Sequence, residues 1–145
     1  MSGKHRGDDG YTLTEMLVVI GIISLIAAVL TPSIISQMSR ARAKAARLQL
    51  DTVSAAVEMY YADVGHYPTA KEGLNALVEA PIAVSGWSGP YIRDHKALVD
   101  PWGRPLAYAD GGEDGHYRIS TLGADGKPGG TGPNADLVVP EAAAP

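Results

Sequence analysis

Residues 10–35 read GYTLTEMLVVIGIISLIAAVLTPSII. After Glu15 the chain carries no charged residue from Met16 through Gln37. An apolar run of about 20 residues is long enough for a helix to cross a hydrocarbon core of about 30 Å. We therefore expect one membrane-spanning helix near the N-terminus.

Glu15 is the unusual residue of this stretch, because it places a lone carboxylate at the edge of the apolar run. An ionised acid at membrane depth is unfavourable, so a fixed partner is the usual reason for one to be there. No basic residue lies beside Glu15 in the sequence. We therefore expect its partner to lie outside this chain.

A cleaved secretory signal peptide is the first alternative for the apolar run. The apolar core of a signal peptide typically has about 7 to 15 residues, which is shorter than this run. The small-x-small triplet at 41–43 follows Arg40 inside a helical pattern, which makes it a poor cleavage site. We therefore expect the segment to remain in the protein. The positive-inside rule alone would then place the more basic downstream side in the cytoplasm.

The composition indicates one globular domain with an appendage. The chain has 145 residues, 46% of them hydrophobic, and a net charge of −4, which is ordinary for a small domain. It contains no cysteine, so no disulfide can cross-link the downstream residues. Nucleic-acid binding is not indicated, because the chain is acidic and its basic cluster lies at the end of the apolar run.

The basic cluster consists of Arg40, Arg42, Lys44 and Arg47. At the boundary of a membrane, such cations bind either lipid headgroups or acidic residues of neighbouring copies. A helix tethered in a bilayer allows both kinds of contact. We favour the contact between copies.

Periodicity extends the helix well beyond the apolar run. Apolar residues recur at spacings of three and four, namely Leu50, Val53, Val57, Tyr60 or Tyr61, and Val64. One helix from about Thr12 to Asp63 would be roughly 75 Å long. Pro32 interrupts this pattern. It either bends or locally unwinds the helix near Ile26–Pro32, or it marks the exit of the helix from the membrane.

The residues after this helix predict a small α+β domain. Gly65 is a typical glycine for the end of a helix, and Lys71–Glu79 predicts a short amphipathic helix. Three segments have the composition of short strands: Leu106–Ala109, Tyr117–Thr121 and Leu137–Val139. We expect an antiparallel sheet of these strands to pack against the apolar face of the long helix.

Residues 122–136 read LGADGKPGGTGPNAD and differ in composition from the rest of the chain. Calcium binds carboxylate and carbonyl oxygens, and glycines let a loop fold back around an ion. The spacing of the acidic residues is not that of an EF-hand. From the residues alone, a calcium site and a flexible turn both remain open.

The sequence contains no pattern of catalytic residues. Its four histidines are scattered among predicted turns, and neither a nucleophile motif nor a phosphate-binding loop is present. We therefore predict that the protein is not an enzyme.

Several motifs together resemble a known family. The stretch Gly10-Tyr-Thr-Leu-Thr-Glu15 followed by an apolar helix resembles the class III signal of type IV pilins and pseudopilins. Within that superfamily the chain is similar to the major pseudopilins of type II secretion systems. The similarity runs from Gly10 to about Val139 and rests on three motifs: GHYPT at 65–69, DPWG at 100–103, and LGADG at 122–126 with AD at 135–136.

The resemblance implies a processed N-terminus. A prepilin peptidase would cut between Gly10 and Tyr11 and methylate the new amino group. Glu15 would then face the amino group of Tyr11 in an adjacent subunit and set the register of a helical filament. Three features depart from the family pattern: Tyr11 replaces the usual phenylalanine, the acidic pair 8–9 precedes Gly10, and Ala135 lies where some relatives carry another acid.

The resemblance also assigns roles to residues further along the chain. Pro32 lies where pilin-like helices lose regular structure on assembly, and the cations Arg40, Arg42 and Lys44 contribute to contacts between subunits. The family closes its glycine-rich loop with calcium. That role falls here on Leu122, Asp125 and Asp136, with Asn134 and Gly129 as weaker candidates.

The implied organisation is a leader at 1–10, a transmembrane and polymerisation helix at 11–35, and an amphipathic second half of that helix at 36–64. A periplasmic α+β domain follows at 65–139, with a tail at 140–145. The implied function is that of the major subunit of a pseudopilus in the inner membrane. Its partners would be further copies, minor pseudopilins, the inner-membrane assembly platform and membrane lipid. The alternatives are a type IV pilin for adhesion or motility and a monomeric, membrane-anchored binding domain.

Overall fold

The computed structural model describes residues 11–111 and 116–141, the side chains of 31–33 excepted. Its largest element is the helix α1, Leu13–Val64, which has 52 residues. The residues up to Gln37 form one compact unit, and those from Met38 onward form a second. The predicted leader and residues 142–145 of the predicted tail lie outside the described residues.

The first half of α1 has no buried side chain among its described residues. Every side chain from Tyr11 through Leu30 is exposed, and so are those from Ile34 through Met38. Among the described helices, α1 is the one with a stretch that is long and apolar enough to cross a membrane. The predicted long apolar helix is therefore confirmed as a helix, and its passage through a membrane stays a prediction.

The second half of α1 carries one face of the hydrophobic core. Its buried residues recur at spacings of three and four, which places them on one side of the helix: Ala46, Leu50, Val53, Ala56, Val57 and Tyr60. Of the two candidate tyrosines, Tyr60 is the buried one, whereas Tyr61 is 44% exposed. Gly65 ends the helix with a φ of 88°, a conformation that glycine adopts without strain.

A three-stranded antiparallel sheet supplies the other side of the core. The strands are β1 (Ala107–Ala109), β2 (Arg118–Thr121) and β3 (Leu137–Val139), paired in the order β1-β2-β3. Ile119 of β2 lies opposite Tyr108 of β1 and Val139 of β3. Ile119 and Val139 are buried in the same cluster as the apolar face of α1. The predicted α+β fold and its three strands are confirmed, although β1 and β2 are each one residue shorter at their start.

Two local expectations were wrong. The short helix predicted at Lys71–Glu79 is a 3-10 helix of five residues, Gly73–Leu77. In a 3-10 helix, residues three apart eclipse each other, so Leu74 and Leu77 are both buried without the longer amphipathic face of an α-helix. Of the alternatives for Pro32, local unwinding near Ile26–Pro32 is also absent, because α1 is helical throughout that part of the described chain, whereas a bend and an exit from the membrane stay predictions.

Candidate functional site

The predicted assembly residue Glu15 is part of a local motif at the start of α1. Its backbone N–H donates to Thr12 Oγ1 at 3.2 Å, while its Oε2 accepts from Thr12 N at 3.0 Å and from Thr12 Oγ1 at 3.0 Å. This reciprocal arrangement is a capping box, which satisfies backbone donors that the first turn of a helix leaves free. Thr12 is therefore a hydrogen-bond partner of Glu15 within the chain, and the expectation of a charged partner outside the chain stays a prediction.

The same T-x-x-E motif occurs a second time, before the 3-10 helix. Glu72 Oε2 accepts from Thr69 N and from Thr69 Oγ1, both at 2.8 Å, and Glu72 N donates to Thr69 Oγ1 at 3.3 Å. The repetition identifies the geometry as a property of the local sequence. The spacing Thr-x-x-Glu was the signal that sequence reasoning overlooked. A hydrogen bond is nevertheless not a countercharge, and no cation pairs with Glu15 among the described residues.

The other residues predicted for processing and assembly differ in how far the structure describes them. Tyr11 is 79% exposed at the start of the described chain, next to Thr12. Gly10 lies outside the described residues, and Pro32 is described only as part of the continuous backbone of α1. Their predicted roles in cleavage and assembly stay predictions.

The basic cluster divides into two parts. Arg40, Arg42 and Lys44 are exposed and form no ion pair within residues 11–111 and 116–141. Arg47 instead contacts Asp51 at 3.4 Å and Glu141 at 2.9 Å within the chain. The first three cations are therefore available to other molecules. Arg47 differs from the expectation for the cluster, since it already has acidic partners.

The glycine-rich loop folds back on itself, so that its two arms meet. Ala124 N donates to the carbonyl oxygen of Pro133 at 2.9 Å, and Asp136 N donates to that of Gly129 at 3.2 Å. Gly123 has a φ of 65°, and a Cβ there would lie 2.6 Å from the carbonyl carbon of Asn134. The arms approach so closely that a side chain at Gly123 has no space. The predicted ligands at the two ends of the loop are thereby brought into one region.

The oxygen atoms of this loop suit a hard cation. Asp136 Oδ2 accepts from Gly129 N at 2.9 Å, while Asp136 Oδ1 is buried and has no hydrogen-bond partner. A buried carboxylate oxygen without a partner is unfavourable, and a calcium ion would satisfy it. Asp125 is exposed, and its Oδ1 accepts from Lys127 N at 3.1 Å. No group of three acidic or histidine side chains gathers in the described part of the chain, so carbonyl oxygens would have to complete such a site.

A buried acidic residue lies beside this loop and was not identified from the sequence. Asp100, in the turn before β1, has a fully buried side chain whose Oδ2 accepts from Thr121 Oγ1 at 2.6 Å and from Arg104 Nε at 3.1 Å. Its Oδ1 accepts from the backbone N–H groups of Trp102 at 3.0 Å and Arg104 at 2.8 Å. Burial raises the pKa of Asp100, but these hydrogen bonds outweigh burial and hold the pKa below its ordinary value.

The histidines do not assemble a catalytic site in the described residues. His66 Nδ1 lies 2.9 Å from the carbonyl oxygen of Tyr67, and His95 Nε2 lies 3.2 Å from Glu79 Oε1. Both contacts are exposed and neither includes a nucleophile. The arrangement agrees with the predicted absence of an enzymatic role without testing it.

Comparison with known families covers nearly the whole chain. A family model described as type II secretion system (T2SS), protein G, matches residues 33–140. A second model, described as the prokaryotic N-terminal methylation motif, matches residues 5–31. The two matches adjoin each other and divide the chain close to the boundary between its two compact units.

Individual relatives give the same result. The chain is 36% identical over 138 residues to the type II secretion system core protein G of Pseudomonas aeruginosa, covering 92% of this chain and 96% of that protein. It is 34% identical to the protein of the same name from Vibrio cholerae, covering 92% of each. The crystal structure of the major pseudopilin from the type 2 secretion system of enterohaemorrhagic Escherichia coli superposes with a TM-score of 0.57 at 26% identity. That alignment covers 72% of this chain and 91% of the other.

Proposed function

Because the chain belongs to the type II secretion system protein G family, we propose that it is the major subunit of a pseudopilus that pushes secreted proteins through the outer membrane. One observation carries this proposal beyond the family assignment. The first half of α1 is apolar and has no buried side chain among its described residues. A surface of this kind is unfavourable in water, so it requires lipid before assembly and other helices after it.

The proposal places the chain in the inner membrane with its α+β domain in the periplasm. The single stretch able to cross a membrane lies near the N-terminus of the described chain, ahead of the folded domain. This location follows from the family rather than from the basic cluster, whose position alone favours the opposite orientation. Minor pseudopilins, the assembly platform and the prepilin peptidase would be the protein partners. The family is one of structural pseudopilin subunits, and the proposed role requires no catalysis by this chain.

Glu15 would set the register of the filament through its charge. The capping box fixes the carboxylate at the start of α1, where cleavage after Gly10 would create a positively charged amino group on Tyr11 of a neighbouring copy. Opposite charges attract strongly where water is excluded, and an unpaired acid there is unfavourable. Correct addition of a subunit would therefore be favoured over a shifted one.

Replacement of Glu15 by glutamine separates its two roles. Glutamine still accepts hydrogen bonds in a capping box, but it has no charge. We expect both Glu15→Gln and Glu15→Ala to abolish filament assembly, measured by crosslinking between copies, while the level of the protein in the membrane stays normal. Glu72→Gln changes the second capping box in the same way and should leave assembly intact.

One result would contradict the proposal that Glu15 acts through its charge. If Glu15→Gln assembles normally and only Glu15→Ala fails, the residue acts through helix capping alone. The intact mass of the membrane form tests the preceding step, because loss of residues 1–10 plus one methyl group is required to create the proposed partner. An uncleaved chain in assembled filaments would contradict the pairing.

Calcium is the ion proposed for the glycine-rich loop. The carboxylates of Asp125 and Asp136 would hold it together with the carbonyl oxygen of Leu122, and Asn134 and Gly129 are weaker candidates. The unpartnered Oδ1 of Asp136 supports this choice, as does a donor set made only of oxygen atoms. When bound, calcium would join the two arms of the loop and neutralise their carboxylates.

A thermal melt of the full chain in detergent tests this site. We expect chelator to lower the melting temperature by roughly 5 °C or more, and added calcium to restore it, because an ion that binds only the folded state stabilises it. Asp125→Asn and Asp136→Asn should remove most of this response. Asp51→Asn, an exposed acid on α1, serves as the control. Equal melting temperatures with chelator and with calcium would exclude the site.

A further inference from the structure

Arg104 connects the buried acid Asp100 with the glycine-rich loop. Its Nε and Nη2 lie 3.1 and 3.0 Å from Asp100 Oδ2. Its Nη2 also donates to the carbonyl oxygen of Gly123. One planar guanidinium therefore contacts both the turn at Asp100 and Gly123, which lies 19 residues after Arg104, with its fixed fork of donors directed to both.

The backbone of Arg104 is held firmly on the side of Asp100. Asp100 N donates to the carbonyl oxygen of Arg104 at 2.7 Å, and Arg104 N donates back to Asp100 Oδ1 at 2.8 Å. The ring of Trp102 lies 5.4 Å from the guanidinium carbon, a distance at which a cation is attracted to the aromatic face. The side chain of Arg104 is only 32% exposed. These contacts leave the guanidinium little freedom to leave its position.

The loop is shaped to accept this guanidinium. A Cβ at Gly126 would meet Arg104 Nη1, so a larger residue there would displace the guanidinium from its present position. Gly123 donates no side chain to this contact, but its carbonyl oxygen accepts from Arg104. Gly123 also lies against the backbone of Asn134, which belongs to the returning arm of the loop. The cation therefore contacts the loop at the place where its arms close.

We propose that Arg104 is a positioning residue that holds the loop 122–136 in its closed form before any metal ion binds. The guanidinium supplies a fixed positive group at the loop, and Asp100 balances its charge so that it does not strongly repel a second cation. The first part of this inference, order without metal, stands on the contacts alone. The second part, readiness for calcium, rests on the calcium site proposed above.

Hydrogen–deuterium exchange of the full chain in detergent tests the first part. In chelator, peptides covering 122–136 of Arg104→Gln should exchange about tenfold or more faster than those of the unmodified protein, because a charge-assisted hydrogen bond is lost. Arg93→Gln is the matched control, since the side chain of Arg93 is exposed and forms no ion pair among the described residues. Peptides from 50–60 in α1 report on the stability of the whole domain.

Two results would overturn the proposal. Equal exchange of the loop in the two proteins means that Arg104 does not hold it. An equal acceleration in the loop and in residues 50–60 means that Arg104 supports the whole domain rather than the loop. The expected pattern is acceleration confined to 122–136.

Titration with calcium chloride tests the second part separately. A loop that is ordered beforehand loses less entropy on binding, so Arg104→Gln should bind calcium several-fold more weakly than the unmodified protein. Equal affinities of the two proteins for calcium would overturn the inference that Arg104 prepares the loop for calcium. If calcium protects the loop in neither protein, the proposed calcium site fails, while a difference in chelator still supports the positioning role.

Discussion

The two halves of α1 have the same backbone structure and opposite surroundings. From Tyr11 to Leu30 every side chain is exposed, whereas the second half has Leu50, Val53 and Val57 each at 0% exposure. Both halves are rich in apolar residues. The difference lies in whether the same chain supplies a packing partner. In the second half the sheet and the loops supply it, and for the first half the proposed partner is lipid or another copy.

This contrast separates stability from assembly. Burial of an apolar side chain stabilises the folded chain only when its contacts are formed within that chain. We therefore expect substitutions in the second half of α1 to change the free energy of unfolding, and equivalent substitutions in the first half to change association between copies. Three predictions test this separation.

The largest effect is expected for truncation of a leucine. Leu50→Ala removes a fully buried side chain and should lower the free energy of unfolding by about 3 kcal/mol, because it leaves a cavity in the core. Leu25→Ala, at a position that is 69% exposed, should change it by less than about 0.5 kcal/mol. Urea denaturation of the dispersed full chain in detergent gives both values.

Crosslinking between copies should decrease more in Leu25→Ala than in Leu50→Ala, which is the opposite of their order in the urea denaturation. Leu25→Ala should weaken assembly because it removes packing between membrane helices. A Leu25→Ala protein that unfolds as easily as Leu50→Ala would contradict the separation, since it would imply that the first half packs within its own chain.

Low pH is expected to lower the free energy of unfolding by an intermediate amount. This effect should be confined to the unit that begins at Met38. Burial raises the pKa of Asp100, but its hydrogen bonds outweigh burial and lower the pKa below the ordinary value of 3.8. An acid with a lowered pKa stabilises the folded state above its ordinary pKa, and that contribution is lost as the pH falls through the lowered value. Unfolding of the domain should therefore become easier below about pH 4.

The first half of α1 provides the internal comparison for acid. It has no ionisable acid or base from Met16 through Gln37, so its helical signal should persist in detergent at low pH. Asp100→Asn should be less stable near neutral pH and should lose less stability on acidification. Equal acid sensitivity of Asp100→Asn and the unmodified protein would exclude Asp100 as a source of the effect.

The sequence predicted these two halves for different physical reasons. The first half follows from length and the absence of charge, and the second follows from spacings of three and four. Both signals are local, so the chain itself displays them. The strands were predicted correctly because short segments of strand-forming residues alternate with turn residues. The length of the helix predicted at 71–79 was overestimated. Apolar residues at a spacing of three occur both in a 3-10 helix and in a short α-helix, so the spacing alone does not separate the two.

The contacts of Arg104 and Asp100 could not be read from the sequence in the same way. Asp100 and Gly123 come together only because β1 and β2 pair and bring the preceding turn beside the loop. Nothing in the motif DPWG indicates that its aspartate is buried. The capping box at Thr12 is a different case, because its four-residue pattern is local.

The smallest effect is expected for a pair of serines, one in each half of α1. Ser54 Oγ lies 2.7 Å from the hydroxyl oxygen of Tyr117, and that hydroxyl also donates to the carbonyl oxygen of Ser54 at 3.2 Å. Ser54→Ala should lower the free energy of unfolding by about 1 kcal/mol, since one partly buried hydrogen bond is lost while Tyr117 keeps its bond to the backbone.

Ser24 is the matched position in the exposed half of α1. Ser24→Ala should not lower the free energy of unfolding in the same urea denaturation, because the side chain of Ser24 is exposed and alanine favours a helix at least as well as serine. A loss of about 1 kcal/mol in Ser24→Ala as well would mean that detergent-dispersed chains already associate through the first half. That result would remove the distinction between folding and assembly, because the exposed half would then be stabilised before any filament forms.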